Sequence, residues 1–243
     1  MRSSSQGLQQ ALPISRARQP NVFARLNAAE RAIVLKHSKQ RRLVRNELLF
    51  SQGFRHGGVF LIQTGGIRTF YTSPGGRIIT LAYWEAGNLV GTPEVLSDGI
   101  HLWSGVATCE TNVLTLKSSE LRSLMEGIPN LAIGFVEALE FKGKCLSALV
   151  QMLGTRSVPE RLKLLLRNLA ILHGIPSTEG VRIGAPFTHE AIAQMVGASR
   201  QWVTLMLDQL QRQGVLRLAK CSITIRRPDL LLNGNLYDDV NSR

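Results

Sequence analysis

The sequence has little of what builds metal clusters and none of the long apolar runs that cross membranes. Of 243 residues only three are cysteine: Cys109, Cys145 and Cys221. No two form a Cys-x-x-Cys pair, so neither an iron–sulfur cluster nor a structural zinc site has a local framework, and no metal site is expected. An odd, scattered set of thiols suits a reducing cytoplasm, the expected compartment. No apolar stretch approaches the roughly 18–20 residues needed to span a bilayer. The polar N-terminus, Ser3-Ser4-Ser5-Gln6, lacks the apolar core of a signal peptide. A nucleophile elbow, a Walker loop, a paired His/Glu metal signature and a glycine-rich dinucleotide turn are all missing, which argues against an enzyme.

What is present is positive charge, unevenly spread. The formal net charge is +12. Residues 1–54 carry a net +8, residues 55–154 a net −1 and residues 155–243 a net +5. Basic ends around a neutral middle imply that different parts of the chain meet different partners. A nonspecific nucleic-acid binder driven by this charge is one reading to keep open.

Residues 1–20 show little periodicity and read as a flexible tail. A helix starts near Asn27, which with Glu30 forms a capping-box signature. The cluster Lys39, Arg41, Arg42 and Arg45 reads first as a solvated basic surface. From about residue 43 to 117 the pattern is short strands punctuated by glycine, among them Val59–Ile62, Ile67–Thr72, Ile78–Trp84 and Val113–Leu116. That spacing predicts an antiparallel barrel or sandwich. After Lys117 the period turns helical. Pro129 opens a long helix in which Phe135, Leu139, Lys142, Leu146, Leu149 and Leu153 follow three- and four-residue steps, a coiled-coil seam for dimerisation. Gly154 breaks it, and Ser157-Val158-Pro159-Glu160 caps the next helix. The expected organisation is a tail (1–20), a sensor barrel (21–128), a dimerisation helix and hinge (129–154), a DNA-binding domain (155–230) and a C-terminal tail (231–243).

Residues His189 to Asp208 fit the helix-turn-helix template. Ile192 and Val196 supply its inward apolar places. Ala193 is the small residue where the two helices cross, and Gly197 is the turn that wants positive φ. Ala198, Val203 and Met206 fill the remaining inward places, and Thr188 and Ser199 stand where the two helices need caps. Two strands, 215–218 and 222–226, flank Ala219-Lys220-Cys221 and complete a winged helix-turn-helix. Arg200 suits guanine and Gln201 adenine, with Thr204 also facing outward. Ser199, Thr188, His189 and, at the wing tip, Lys220 suit phosphates. Trp202 reads as packing against the wing or the helix at 158–173.

The order of sandwich, long helix, hinge and winged helix-turn-helix resembles the Crp/Fnr superfamily of bacterial transcription regulators. The resemblance is carried by Gln194-Met195-Val196-Gly197-Ala198-Ser199-Arg200 and by the stretch from Gly76-Arg77-Ile78 through Gly87-Asn88-Leu89-Val90-Gly91. It implies an α+β chain with an N-terminal cyclic-nucleotide-binding-like antiparallel β-barrel or jelly roll. It further implies a cytoplasmic homodimer reading a palindromic double-stranded DNA operator. RNA polymerase and a small-molecule effector are the other expected partners, with no membrane.

The departures bear on the effector, which stays unassigned. Cyclic-nucleotide-binding members of the family hold the phosphate with a Gly-Glu pair and a following Arg-Ser pair. Here the corresponding stretches read Gly91-Thr92-Pro93-Glu94 and Leu102-Trp103-Ser104-Gly105, with no arginine beside Ser104. Burying a phosphate without a cation is costly, so a cyclic nucleotide is disfavoured. The family's adenine-contacting Thr-Ser pair aligns with Leu146-Ser147. Haem is disfavoured because His56, His101, Cys109 and Cys145 form no recognisable ligand pair. Gly91, Thr92, Glu94, Trp103, Ser104, Lys142, Leu146 and Ser147 are the candidate effector residues, Lys142 being a cation for an anionic effector or a helix-register device. On the recognition helix Arg200 keeps the family's first base-reading arginine. Gln201 replaces its glutamate and Leu205 its second arginine, which predicts an altered half-site.

Overall fold

A computed structural model describes residues 20–92, 96, 99–183, 187–219 and 222–233, without the side chains of Leu172, Leu232 and Asn233. Both expected tails beyond these limits, Glu94, Lys220 and Cys221 lie outside the described residues. The chain divides into two compact units at Ala148.

In the first unit a 3-10 turn, Val22–Arg25, leads into α1 (Ala28–Lys36). The side chain of Asn27 accepts from the Glu30 N–H at 2.9 Å, and the Glu30 carboxylate accepts from the Asn27 N–H at 2.9 Å. Eight strands follow: β1 (Lys39–Leu43), β2 (Leu48–Phe50), β3 (Val59–Thr64), β4 (Gly66–Thr72), β5 (Ile78–Glu85), β6 (Leu89–Val90), β7 (Ser104–Ala107) and β8 (Thr111–Leu116). Then come α2 (Ser118–Gly127) and α3 (Pro129–Thr155), whose residues from Ala148 onward belong to the second unit. The expected barrel takes the form of two four-stranded antiparallel sheets, ordered β1-β8-β3-β6 and β2-β7-β4-β5.

One core lies between the sheets, with Leu43, Phe50, Phe60, Ile62, Ile67, Trp84 and Val113 drawn from both. A second core covers the other face of the β1-β8-β3-β6 sheet, where Val59, Leu61, Leu114 and Leu116 meet Leu121, Leu131 and Phe135 of the helices. This explains the unbroken apolar run at 59–62. Successive side chains point to opposite faces, and here both faces are buried.

The basic cluster proves partly a strand. β1 is an edge strand paired only with β8, and its charged residues decorate an edge that would otherwise invite pairing with another chain. Arg41 pairs with Glu47 at 3.0 Å and Arg42 with Glu110 at 2.8 Å.

The seam read along α3 is offset on alternate rungs. Phe135, Lys142 and Leu149 are buried within the protomer. The exposed large apolar positions are Ile133, Val136, Leu139, Leu146 and Val150, of which the last four fall on one stripe. With Gly143 and the half-buried Leu153 those four repeat in heptads, with 136, 143 and 150 on one rung series and 139, 146 and 153 on the other.

The second unit holds α4 (Val158–His173), β9 (Gly174–Ser177), β10 (Gly180–Ile183), α5 (His189–Val196), α6 (Arg200–Arg212), β11 (Leu216–Ala219), β12 (Ser222–Ile225) and α7 (Leu230–Asn233). The Ser157 N–H donates to the Glu160 carboxylate at 2.7 Å, closing the capping box of α4. Leu162, Leu165, Leu166 and Leu169 form its fully buried stripe. The wing hairpin belongs to a four-stranded sheet, β11-β12-β10-β9, because β10 also pairs with β12. Glu179, between β9 and β10, accepts from Arg217 and Arg226 and ties the sheet across its strands.

Candidate functional site

Two sites carry the chemistry, one in each unit. In the second unit the helix-turn-helix is set by local geometry. Thr188 caps α5 by accepting from the Ala191 N–H at 3.1 Å. Helix α5 ends at Gly197 with φ 66 and ψ 43, the left-handed region where a side chain is strained. The chain therefore turns sharply, and Ser199 caps α6 by accepting from the Trp202 N–H at 3.1 Å. Ala193 is buried with Ile192 and Val196 on the inner face of α5, opposite Val203, Leu207 and Leu210 of α6. Met206 and Ala198, read as inward, are half-buried. The Arg161 guanidinium donates to the Val196 carbonyl at 2.8 Å, linking α4 to the end of α5.

This packing leaves Thr188, Ser199, Arg200, Gln201 and Leu205 exposed around the start of α6. Arg200 has no ion-pair partner among the described residues. Thr204 is more constrained than its outward reading implied. It is half-buried, donates to the Arg200 carbonyl at 3.0 Å and lies 2.9 Å from His189 Nδ1. With the Thr204 proton committed to that carbonyl, His189 Nδ1 is the donor between them, so the pair braces the two helices. Trp202 is half-buried. Gln211 accepts from the Leu218 N–H at 2.8 Å and joins α6 to β11.

The first unit contains a cavity of about 190 Å³. Strands β4 and β5 supply Thr69, Leu81, Ala82 and Trp84. The next wall is Val90, Gly91, Thr92 and Trp103, and α3 supplies Leu139, Lys142, Gly143, Cys145 and Leu146. Neighbouring Leu81 and Ala82 both reach it because of a β-bulge. Thr69 pairs with Ala82 and Phe70 with Thr80, which leaves Leu81 as the extra residue. Gly91 adopts φ +96, and a Cβ there would stand 3.0 Å from the Phe60 ring.

Among the described residues lining the cavity, Lys142 alone is charged. Its Nζ lies 3.4 Å from the centre of the Trp84 ring, and no carboxylate pairs with it among the described residues. Burial pulls its pKa down to about 7, against a small opposing effect of Cys145. Burial pushes the Cys145 thiol up. The other polar lining is partly satisfied already: Trp84 Nε1 donates to Thr69 Oγ1 at 2.9 Å.

Of the residues singled out in the sequence, Gly91, Thr92, Trp103, Lys142 and Leu146 thus share one cavity. Ser104 is buried elsewhere, its hydroxyl accepting from the Gln52 N–H at 3.0 Å, and Ser147 is exposed on α3. Glu94 is outside the described residues. The bulge residue Leu81 and the small residue Ala82 were not legible as lining. Leu139 and Cys145 follow from Lys142 at three-residue helical spacing, and Gly143 from Leu139 at four.

The structure also brings together two histidines far apart in sequence. His56 and His101 are buried with ring centres 4.5 Å apart, and His101 stacks on Phe50 at 4.4 Å. His56 Nε2 hydrogen-bonds the Gly91 carbonyl. Burial and then the neighbouring His56 pull the His101 pKa down to about 4. No group of three or more metal-binding side chains occurs among the described residues. No helix among them is long and apolar enough to cross a membrane.

Residues 160–233 match the model of the Crp-like helix-turn-helix domain, and residues 40–127 match that of the cyclic nucleotide-binding domain. The cyclic AMP receptor protein of Thermus thermophilus is 26% identical over 210 residues, covering 86% of this chain and 94% of the relative. The global nitrogen regulator of Synechocystis is 22% identical over 186 residues, covering 76% and 83%. Among solved structures, the c-di-GMP responsive global regulator CLP of Xanthomonas campestris superposes with a TM-score of 0.74 at 18% identity, covering 82% of this chain and 99% of its own. A CooA mutant from Carboxydothermus hydrogenoformans gives 0.70 at 21% identity, covering 92% and 97%. At such identities the structural likeness speaks for the fold.

Proposed function

The chain belongs to the Crp/Fnr superfamily of transcription regulators, and from that premise we propose that it acts as a cytoplasmic homodimer whose two α6 helices read a palindromic operator under the control of a small molecule held in the N-terminal cavity. It is a regulator with a helix-turn-helix DNA-binding domain and a cyclic-nucleotide-binding-type domain. Its named relatives are transcription regulators rather than enzymes.

The observation that carries the reading is the start of α6. A left-handed Gly197 and a capping Ser199 turn the helix so that Arg200, without an ion-pair partner among the described residues, and the exposed Gln201 lie at its N-terminal end. In this motif the N-terminal end of the second helix enters the major groove. Arg200 then takes guanine O6 and N7, and Gln201 takes adenine N6 and N7. Thr188, His189, Ser199 and Lys220 are assigned to phosphates, with Thr204 holding His189 in place. Two such helices on a dimer read half-sites about 34–36 Å apart.

The effector acts through α3. Leu139 and Leu146 both line the cavity and both belong to the exposed heptad stripe. Occupancy of the cavity and pairing of two α3 helices therefore involve the same side chains, which is a physical route for coupling. Five of the candidate effector residues share that cavity, and Glu94 lies outside the described residues. Ser104 and Ser147 are given no part. RNA polymerase is the further partner such a regulator would meet.

The test is binding to operator and to scrambled DNA of equal length across a salt series. Tight binding to the operator alone supports the reading. Equal binding to both, with a steep salt slope, would instead identify a nonspecific binder driven by the +12 charge.

A further inference from the structure

The cavity in the first unit has a chemistry of its own. Its walls are almost wholly apolar, with two indoles, Trp84 and Trp103, and aliphatic Leu81, Val90 and Leu146. Into this lining projects one cation, Lys142, more than nine-tenths buried and paired with no acid among the described residues. A buried ammonium without a counter-ion is a costly arrangement, tolerated where a ligand supplies the charge. The partial compensation it has is the Trp84 ring, a weak substitute for an anion.

Volume narrows the ligand. An apolar cavity of about 150 Å³ holds benzene. A cavity of about 190 Å³ therefore has room for one ring and a small substituent. A purine, a ribose and a phosphate together are much larger. A cyclic phosphate also needs more hydrogen-bond donors than one lysine, and Ser104 is not among the residues lining the cavity.

We propose that this cavity recognises a weak organic acid with a single apolar ring, its carboxylate or phenolate seated on the Lys142 ammonium and its ring against Leu81, Val90, Trp103 and Leu146. The proposal rests on reading the cavity as the effector site and specifies the class of effector. The arriving anion restores the charged lysine that burial disfavours. The ring then covers the apolar wall without leaving a polar group unpaired.

The test uses the full-length protein without DNA, so its failure is separable from a failure of operator recognition. Benzoate and salicylate are titrated by calorimetry and by indole fluorescence, with benzamide as the uncharged isostere and cyclic AMP as the nucleotide. A charge-assisted hydrogen bond predicts benzoate binding about tenfold or more tighter than benzamide. Lys142→Met, close in volume, abolishes that preference while benzamide binding persists, and Lys142→Gln serves the same purpose should the methionine variant fail to fold. Equal binding of acid and amide, an undiminished preference in the Lys142 variant, no binding of either acid at millimolar concentration, or tighter binding of cyclic AMP than of both acids would each overturn the proposal.

Discussion

Replacing Lys142 with methionine should stabilise the protein at pH 6 and abolish a pH dependence that the wild type shows above neutrality. Burial lowers the lysine from its ordinary 10.5 to about 7 in the folded chain. Between those values the unfolded chain holds a proton that the folded chain has released. Stability therefore rises with pH across that window, with a slope of about 1.4 kcal/mol per pH unit. Below about pH 7 both states are protonated, and the folded state carries the full penalty of a buried charge. The whole window corresponds to at most about 5 kcal/mol. The Trp84 contact, worth about 2 kcal/mol when desolvated, is lost in the variant and acts in the opposite direction. A net gain of roughly 3 kcal/mol at pH 6 remains. The assay is urea denaturation from pH 6 to 10 at fixed protein concentration, because a dimer's midpoint depends on it. Parallel pH curves for the two proteins, or a methionine variant less stable at pH 6, would refute the account of Lys142.

Three further outcomes follow from the geometry. Arg200→Ala should weaken operator binding by about 1–3 kcal/mol while leaving the melting temperature unchanged, as checked by fluorescence anisotropy and thermal denaturation. Gly197→Val places a β-branched residue at φ 66 and should destabilise the protein by about 1–2 kcal/mol, read as a lowered melting temperature, with operator binding lost as α6 is displaced. Val150→Glu puts a charge on the exposed stripe of α3, where Val150 is 69% exposed in the protomer, and should shift the dimer toward monomer in light scattering while the circular dichroism spectrum stays the same.

The parts of the fold legible in the sequence are those fixed by local chemistry. Asn27, Ser157, Thr188 and Ser199 head helices because each offers an oxygen or a capping box where backbone donors lack partners. Ala193 and Gly197 mark the crossing of α5 and α6 for equally local reasons. What the sequence hides depends on which face is covered. Phe135 and Val136, or Leu149 and Val150, are adjacent apolar residues on α3. Only tertiary packing decides that the first of each pair is buried and the second exposed. β1 reads as surface charge because an edge strand with one buried residue, Leu43, has almost no alternation to show. The His56–His101 pair is closed by the bridge between Arg55 and Ile100, a long-range contact no local pattern announces. At the cavity Lys142 was visible as a cation on an apolar seam. That it turns inward onto Trp84, beside a bulge at Leu81, needed the structure.

The central claim is that the start of α6 presents Arg200 and Gln201 to base edges. Selection of bound sequences from randomised duplex DNA, run in parallel on the wild type and on Arg200→Ala, tests it most directly. The account predicts that the wild type enriches an inverted repeat with half-sites one helical turn apart, and that the variant loses preference at one base pair in each half. Enrichment of the same motif by both proteins, or of no motif by the wild type, would contradict it.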